Sequence, residues 1–109
     1  MTPEATALAK RLVGLVELPW AVEMVTKNGK PWRYTDGTIG AADGDIPDLD
    51  HPSNLGHLCA LADSVCRQEI GLVQDGDGGW LAVGKSGARG GDTRGQAVAA
   101  AIVAAKEQG

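Results

Sequence analysis

Residues 70–84 have the sequence IGLVQDGDGGWLAVG, in which two apolar runs flank a turn made of Asp and Gly. Such a turn is typical of a connection between antiparallel strands, so the sequence predicts a hairpin with strands at 70–74 and 80–84. The second strand is apolar at every position from Trp80 to Val83. This pattern indicates a strand that is covered on both faces.

Helical patterns lie on both sides of this hairpin. Upstream, apolar residues recur at helical spacing from about Ser53 to Gln68. Downstream, Thr93 and Gln96 form a capping-box pattern ahead of an alanine-rich segment. The glycine-rich residues 84–92 between hairpin and helix are expected to be a loop.

The start of the chain predicts one more helix. Thr2 suits the N-cap and Pro3 suits the first helical position. The predicted buried stripe of this helix consists of Ala5, Leu8, Leu12, Leu15 and Val16.

A further hairpin is predicted at residues 20–34, where side chains alternate around an Asn-Gly turn. A two-residue loop would pair Met24 with Arg33, whereas a three-residue loop ending at Gly29 pairs Met24 with Trp32. We prefer the longer loop because it gathers the aromatic residues on one face and places Gly29 in a left-handed bulge position.

These elements predict an α+β fold in the order α-ββ-α-ββ-α, with an antiparallel sheet of two hairpins flanked by helices. The 109 residues suffice for a single domain spanning 1–109, because two hydrophobic cores would not fit. The chain has 16 Ala and 16 Gly but only three Trp, one Tyr and no Phe. We therefore expect a thin core whose elements approach closely.

Composition also excludes several classes of protein. No apolar run is long enough for a membrane-spanning helix, and the first residues lack an export signal, so a cytoplasmic location is expected. Cys59 and Cys66 lie seven residues apart in a predicted helix, about 10 Å along its axis. That distance is too long for a disulfide or for shared metal coordination, so both are expected to be reduced thiols.

Residues 43–54 are expected to be a loop, because prolines interrupt them. Four carboxylates are spaced through this loop, but the glycine and closing glutamate of a calcium loop are missing, and no metal site is predicted. The preferred use is contact with a partner protein that has a basic surface. The predicted partner-binding residues are Asp43, Asp45, Asp48 and Asp50.

Residues 79–86 match the pattern G-x-x-x-x-G-K-[ST] of phosphate-binding loops. We reject a nucleotide site because the central residues have a strand pattern and a glycine-rich segment follows where a helix should begin. A weaker alternative is an anion site at the loop from Gly84 to Arg94, which Asp92 would oppose. Its candidate residues are Lys85, Arg89 and Arg94.

No catalytic residues are predicted. His51 and His57 are the only histidines, and no serine has an obvious neighbouring base. No cofactor is implied. Direct binding of nucleic acid is disfavoured because 14 acidic residues outnumber 10 basic ones, for a net charge of −4.

Three segments carry a family resemblance: His51-Pro52-Ser53-Asn54 leading into LGHLCALADSV, Gly78-Gly79-Trp80 opening a strand, and Thr93-Arg94-Gly95-Gln96 opening AVAAAIVAA. Together they resemble the small phage and prophage proteins of the ABA-sandwich type over about residues 50–105. The resemblance implies a helix–sheet–helix arrangement and no functional residues.

Two classes of function remain in view. The preferred one is a non-enzymatic binding protein encoded by a phage or prophage and acting by protein–protein contact. One candidate within this class is an inhibitor of a host defence system, of the anti-CRISPR kind. A homodimer is considered as the state of assembly. The alternative is an accessory protein that binds an anionic small molecule at the loop from Gly84 to Arg94.

Overall fold

The computed structural model of the protein describes residues 2–16, 18, 24–27, 29, 36, 45–67, 69–84 and 87–107. These parts contain three helices and three strands and confirm the α+β class. In chain order the elements are α1 (Pro3–Leu15), α2 (Pro52–Cys66), β1 (Gly71–Gln74), β2 (Trp80–Gly84), β3 (Gly87–Gly91) and α3 (Arg94–Glu107).

The three strands form one antiparallel sheet in the order β1-β2-β3. β1 and β2 are the hairpin predicted from residues 70–84, with Gly71 opposite Val83. The prediction of a loop at residues 84–92 is wrong, because β3 pairs with β2 along its whole length. The hydrogen bonds between β2 and β3 hold this segment in a strand although glycine has a low strand propensity. Glycine is required at Gly91, where a Cβ atom would lie 2.6 Å from the amide nitrogen of Ala97 in α3.

The predicted order of two hairpins alternating with helices is not fully matched. Within the described residues all three named strands follow α2, and the pairing predicted for residues 20–34 lies outside those residues. The described part of that segment has a turn in which the Gly29 amide donates to the Thr26 carbonyl, with Gly29 at φ +79°. Thr26 forms an isolated antiparallel bridge with Pro47 of the loop before α2.

α3 lies at the centre of the molecule. α1 and α2 pack against one side of it, and β2 and β3 pack against the other. Its segment from Gly95 to Ala99 is buried throughout, which explains why the helix is made mostly of small residues. An ion pair between Arg11 and Glu107 joins α1 to the end of α3.

The prediction that β2 is covered on both faces is wrong. Ala82 is 1% exposed and packs against Ala97 and Ala101 of α3, whereas Val83 is 39% exposed. The described helices therefore lie in the order sheet, α3, then α1 with α2.

Side chains at the helix starts explain where the helices begin. Thr2 caps α1 as predicted, by accepting a hydrogen bond from the Ala5 amide. α2 begins at Pro52, one residue earlier than predicted, because proline suits the first helical position. It ends at Cys66, since Arg67 is left-handed with φ 55°.

The predicted stripe of α1 needs one correction. Ala5 and Leu12 are buried as predicted, but Leu15, in the last turn, is 40% exposed. Among the described helices, none is long and apolar enough to cross a membrane.

Candidate functional site

The acidic segment, which we define as residues 45–50, is held against α2 by the buried side chain of Asn54. The Asn54 Oδ1 accepts a hydrogen bond from the Val25 amide at 2.8 Å. Its Nδ2 donates to the carbonyl oxygens of Val25 and Asp48 at 2.7 and 2.8 Å. Asn54 is fully buried, so these bonds satisfy an amide that would otherwise be costly to bury. They fix the path of the acidic segment beside the start of α2.

Asp50 joins the acidic segment to the start of α3. Its Oδ1 accepts hydrogen bonds from the Thr93 hydroxyl at 2.7 Å and from Gln96 Nε2 at 2.9 Å. Thr93 in turn caps α3 by accepting from the Gln96 amide at 3.2 Å. The Gln96 side chain thus bonds to Asp50 instead of completing the predicted capping box. The carboxylate lies at a helix N-terminus, where the helix dipole favours negative charge.

Close backbone contact completes this junction. A Cβ atom at Gly95 would overlap the carbonyl oxygen of Leu49. Only glycine therefore allows the acidic segment to lie this close to the first turn of α3.

A pocket of about 370 Å³ lies where the starts of α2 and α3 meet. Its walls combine apolar side chains with two carboxylates, one imidazole and one guanidinium. The lining residues are Leu49, Asp50, His51, Pro52, Leu55, Trp80, Asp92, Thr93, Arg94 and Gly95.

Two of these residues form a cation–π pair at the start of the central strand of the sheet. The Arg94 guanidinium carbon lies 4.3 Å from the centroid of the Trp80 ring. Trp80 is the first residue of β2 and Arg94 the first of α3, so the pair ties the sheet to the helix start.

His51 has a structural role at the pocket. Its Nδ1 accepts a hydrogen bond from the Ser53 amide at 3.1 Å and so caps α2. The bond assigns the proton of the neutral imidazole to Nε2. Because Nδ1 is already occupied by the helix cap, His51 lacks the free basic nitrogen of a general base at that atom.

The structure brings some of the predicted site residues together and separates others. Asp50 and Arg94 both line the pocket, and the Asp48 carboxylate accepts from the Asp50 amide at 3.0 Å. Arg89 lies on β3, where its Nη1 donates to the Ala88 carbonyl. Asp45 is half-buried at the start of the acidic segment. Two predicted residues, Asp43 and Lys85, lie outside the described part of the chain.

Three residues at the junction were not identified as site residues from the sequence. Asn54 is a polar residue in the first turn of α2, and in the sequence this position alone gives only a weak indication of a site residue. Trp80 was assigned only to a strand, and Asp92 only to opposing an anion. These residues line one site because the starts of α2 and α3 are in contact. The order of residues in the sequence does not show that contact.

The two thiols lie along α2 and do not line the pocket. Burial raises the pKa of both Cys59 and Cys66, and the nearby Asp63 carboxylate raises it further. Both groups are therefore held in the protonated, weakly nucleophilic form at neutral pH.

The residues described by the structure contain no group of three or more His, Cys, Asp or Glu side chains placed to hold a metal ion. Residues 80–84 of the phosphate-loop pattern form strand β2, and strand β3 begins at Gly87, where a nucleotide-binding loop would need a helix.

Comparison with known proteins gives no match to any family model, any curated protein or any solved structure.

Proposed function

We propose that this protein is a non-enzymatic binding protein whose pocket at the starts of α2 and α3 receives a partner protein with a basic surface. The observation that carries the proposal is the pocket itself, where Asp50 and Asp92 stand beside the Trp80 ring and apolar walls. Concave sites with a few placed polar groups among apolar ones are where proteins usually bind ligands.

The charge around the pocket favours a basic partner. Asp50 and Asp92 line it and the acidic segment adds two more carboxylates, against the single guanidinium of Arg94. Asp92 is exposed, and among the described residues none donates a hydrogen bond to its carboxylate. An excess of negative charge of this kind accelerates association with a positively charged surface.

The apolar part of the pocket supplies the complementary contact. Leu55, Pro52 and Trp80 line it, so the aliphatic stem of an arginine or lysine can be covered while its charged head meets the carboxylates. Aromatic residues near the centre of a contact surface commonly contribute most of the binding energy.

The experiment is a binding titration with a synthetic peptide of alternating Arg and Gly, followed by calorimetry. We expect the double variant Asp48→Asn/Asp92→Asn to weaken binding between about twofold and thirtyfold, because each exposed ion pair contributes about 0.2–1 kcal/mol. Asp50 is left unchanged in this test because it has a structural bond to α3.

Glu69→Gln is the matched control, since it removes one negative charge from an exposed residue beyond the other end of α2. Equal weakening by Glu69→Gln and by Asp92→Asn alone would show that net charge is responsible, and the proposed site would be wrong. A peptide of alternating Glu and Gly should not bind.

One observation supports the alternative function, the binding of an anionic small molecule: the guanidinium of Arg94 lies at the first turn of α3. Asp50 already provides a carboxylate at that helix start, which weakens the alternative. Inorganic phosphate distinguishes the two: binding of phosphate that is lost in Arg94→Ala would favour the anion site.

The phage or prophage origin, the inhibition of a host defence system and the cytoplasmic location remain parts of the proposal that rest on the sequence alone. The partner would then be a host or phage protein, and the pocket would be the surface that contacts it.

A further inference from the structure

We infer that Arg94 is an internal occupant of the pocket: in the free protein it holds the position on the Trp80 ring that an arginine side chain of the partner takes in the complex. The inference rests on the proposed function and adds to it a residue that controls binding. It starts from the cation–π contact between Arg94 and Trp80, both of which line the pocket.

The contact within the chain shows which chemical group the ring accepts. The Arg94 guanidinium carbon lies 4.3 Å from the centroid of the Trp80 ring, within the distance of about 6 Å at which an aromatic ring attracts a cation. Tryptophan attracts cations more strongly than the other aromatic side chains, and a planar guanidinium also stacks on its face, which the ammonium group of lysine does not. The ring therefore favours an arginine of the partner over a lysine.

The stability of α3 does not explain why an arginine stands at its start. Arg94 is the first residue of the helix, where the helix dipole disfavours a positive charge. Its side chain is exposed, so it does not fill the core. The contact that the structure gives to its guanidinium is the Trp80 ring, inside the pocket. This placement points to a role in the pocket.

A basic partner brings a second cation into this pocket. The Asp92 carboxylate attracts that cation, while Arg94 already lies over the ring. Two guanidinium groups over one ring repel each other, so the partner's group takes the ring when Arg94 leaves it. An exposed cation–π contact is weak enough for this exchange, because it changes an equilibrium constant by a factor of about two to five. Arg94 therefore lowers the affinity for the partner by about that factor.

The experiment is a double-mutant cycle on Arg94 and Trp80, with the alternating Arg-Gly peptide as the probe. Arg94→Gln should tighten binding of the peptide about twofold to fivefold, because the ring is then free before the peptide arrives. In a Trp80→Leu background the same substitution should give a smaller gain, because no ring is left to exchange. An equal gain in both backgrounds would show that Arg94 acts only through its charge, and the inference would be wrong.

Arg67→Gln is the matched control, since it removes one positive charge from an exposed residue just beyond the other end of α2. It should change the affinity less than Arg94→Gln does. If Asp48→Asn/Asp92→Asn weakens binding of the peptide while Arg94→Gln does not tighten it, the inference is wrong and the proposed function stands. If the peptide binds neither the wild type nor Arg94→Gln, both are wrong.

A second measurement uses the wild type, so it does not depend on the folding of Trp80→Leu. In the free protein the ring current of Trp80 shifts the nuclear magnetic resonance signals of the Arg94 side chain, because the guanidinium lies over the ring. Saturation with the Arg-Gly peptide should move the Arg94 δ-proton signals toward those of the exposed Arg67. Arg94 signals that keep their ring-current shift at saturation would overturn the inference, because Arg94 would then still lie on the ring.

Discussion

At the residue scale, Asn54 contributes most to the geometry of the site. A single buried amide joins three parts of the chain: residue 25, the acidic segment and the first turn of α2. Its bonds are made to backbone groups, so they fix the path of the chain regardless of the neighbouring side chains.

Asn54→Ala should lower the free energy of unfolding by about 2–4 kcal/mol, because the Val25 amide and the Asp48 carbonyl lose buried partners. The Val25 carbonyl keeps the Asp48 amide as a donor. Urea unfolding measures the change. Ser53→Ala, at the exposed neighbouring position, is the control and should change stability by less than about 0.5 kcal/mol. A similar small effect in Asn54→Ala would contradict the role assigned to its side chain.

Asp50 differs from Asp92 because its carboxylate accepts two hydrogen bonds from side chains at the start of α3. Asp50→Ala should cost about 1–2 kcal/mol, since two donors at the start of α3 lose a charged acceptor. Asp92→Ala, next to the same helix start, should be close to neutral. Thermal unfolding of the two variants under the same conditions makes the comparison. If the Asp92 variant is the less stable of the two, the assignment of a structural bond to Asp50 is wrong.

At the element scale, the main feature is the close approach of the acidic segment to α3 at Gly95. Gly95→Ala should destabilise the fold by about 1–3 kcal/mol or more, because the added methyl overlaps the Leu49 carbonyl. Gly14→Ala is the control within α1, where a Cβ meets no atom within 4 Å. It should stabilise the protein slightly, by about 0.5–1 kcal/mol, because alanine favours the helix. Chemical denaturation of both variants provides the measurement, and equal effects would disprove the close contact.

Helix α2 also carries two thiols, Cys59 and Cys66, whose ionisation is coupled to stability. The pKa of Cys59 and of Cys66 is raised above the ordinary value of 9.0, so the folded chain keeps protons that the unfolded chain loses. The contribution of the thiols to stability is therefore fully present well below pH 9.0 and is lost as the pH rises through that value toward the folded pKa.

The double variant Cys59→Ala/Cys66→Ala should lose less stability at alkaline pH than the wild type. The other titratable groups contribute equally to the wild type and the variant, so the difference reports on the thiols. Urea midpoints at about pH 8 and about pH 10 measure the loss in each protein, on either side of the ordinary thiol value. A loss of the same size in the double variant would show that the thiols do not cause it.

The sequence predicted those elements whose signals are local. The hairpin of β1 and β2, the Thr2 cap and the Thr93 cap each follow from a few adjacent residues. β3 could not be predicted, because its glycines give no strand signal and its conformation comes from pairing with β2 and contact with α3. The coverage of β2 could not be predicted either, since an apolar run does not show which element covers which face.

At the scale of the whole molecule, the arrangement of α3 between the sheet and the other helices explains where the pocket lies. The start of α3 meets the start of α2 and forms the pocket, while the rest of α3 packs between the sheet and the other two helices. Asp50 and Arg94 could be selected from the sequence as charged candidates. Their meeting in one pocket with Trp80 depends on contacts across more than 40 residues, which no local pattern contains.

The most direct test of the pocket as a binding site is a nuclear magnetic resonance titration of the nitrogen-labelled protein with the alternating Arg-Gly peptide. The account predicts that the largest shifts occur at the Trp80 indole and at the amides of His51, Leu55, Asp92 and Gly95, and that they shrink in Asp48→Asn/Asp92→Asn. The indole signal is assigned by its loss in Trp80→Phe. Shifts centred on Val73 and Val83, or spread evenly over the acidic residues of the chain, would contradict the account.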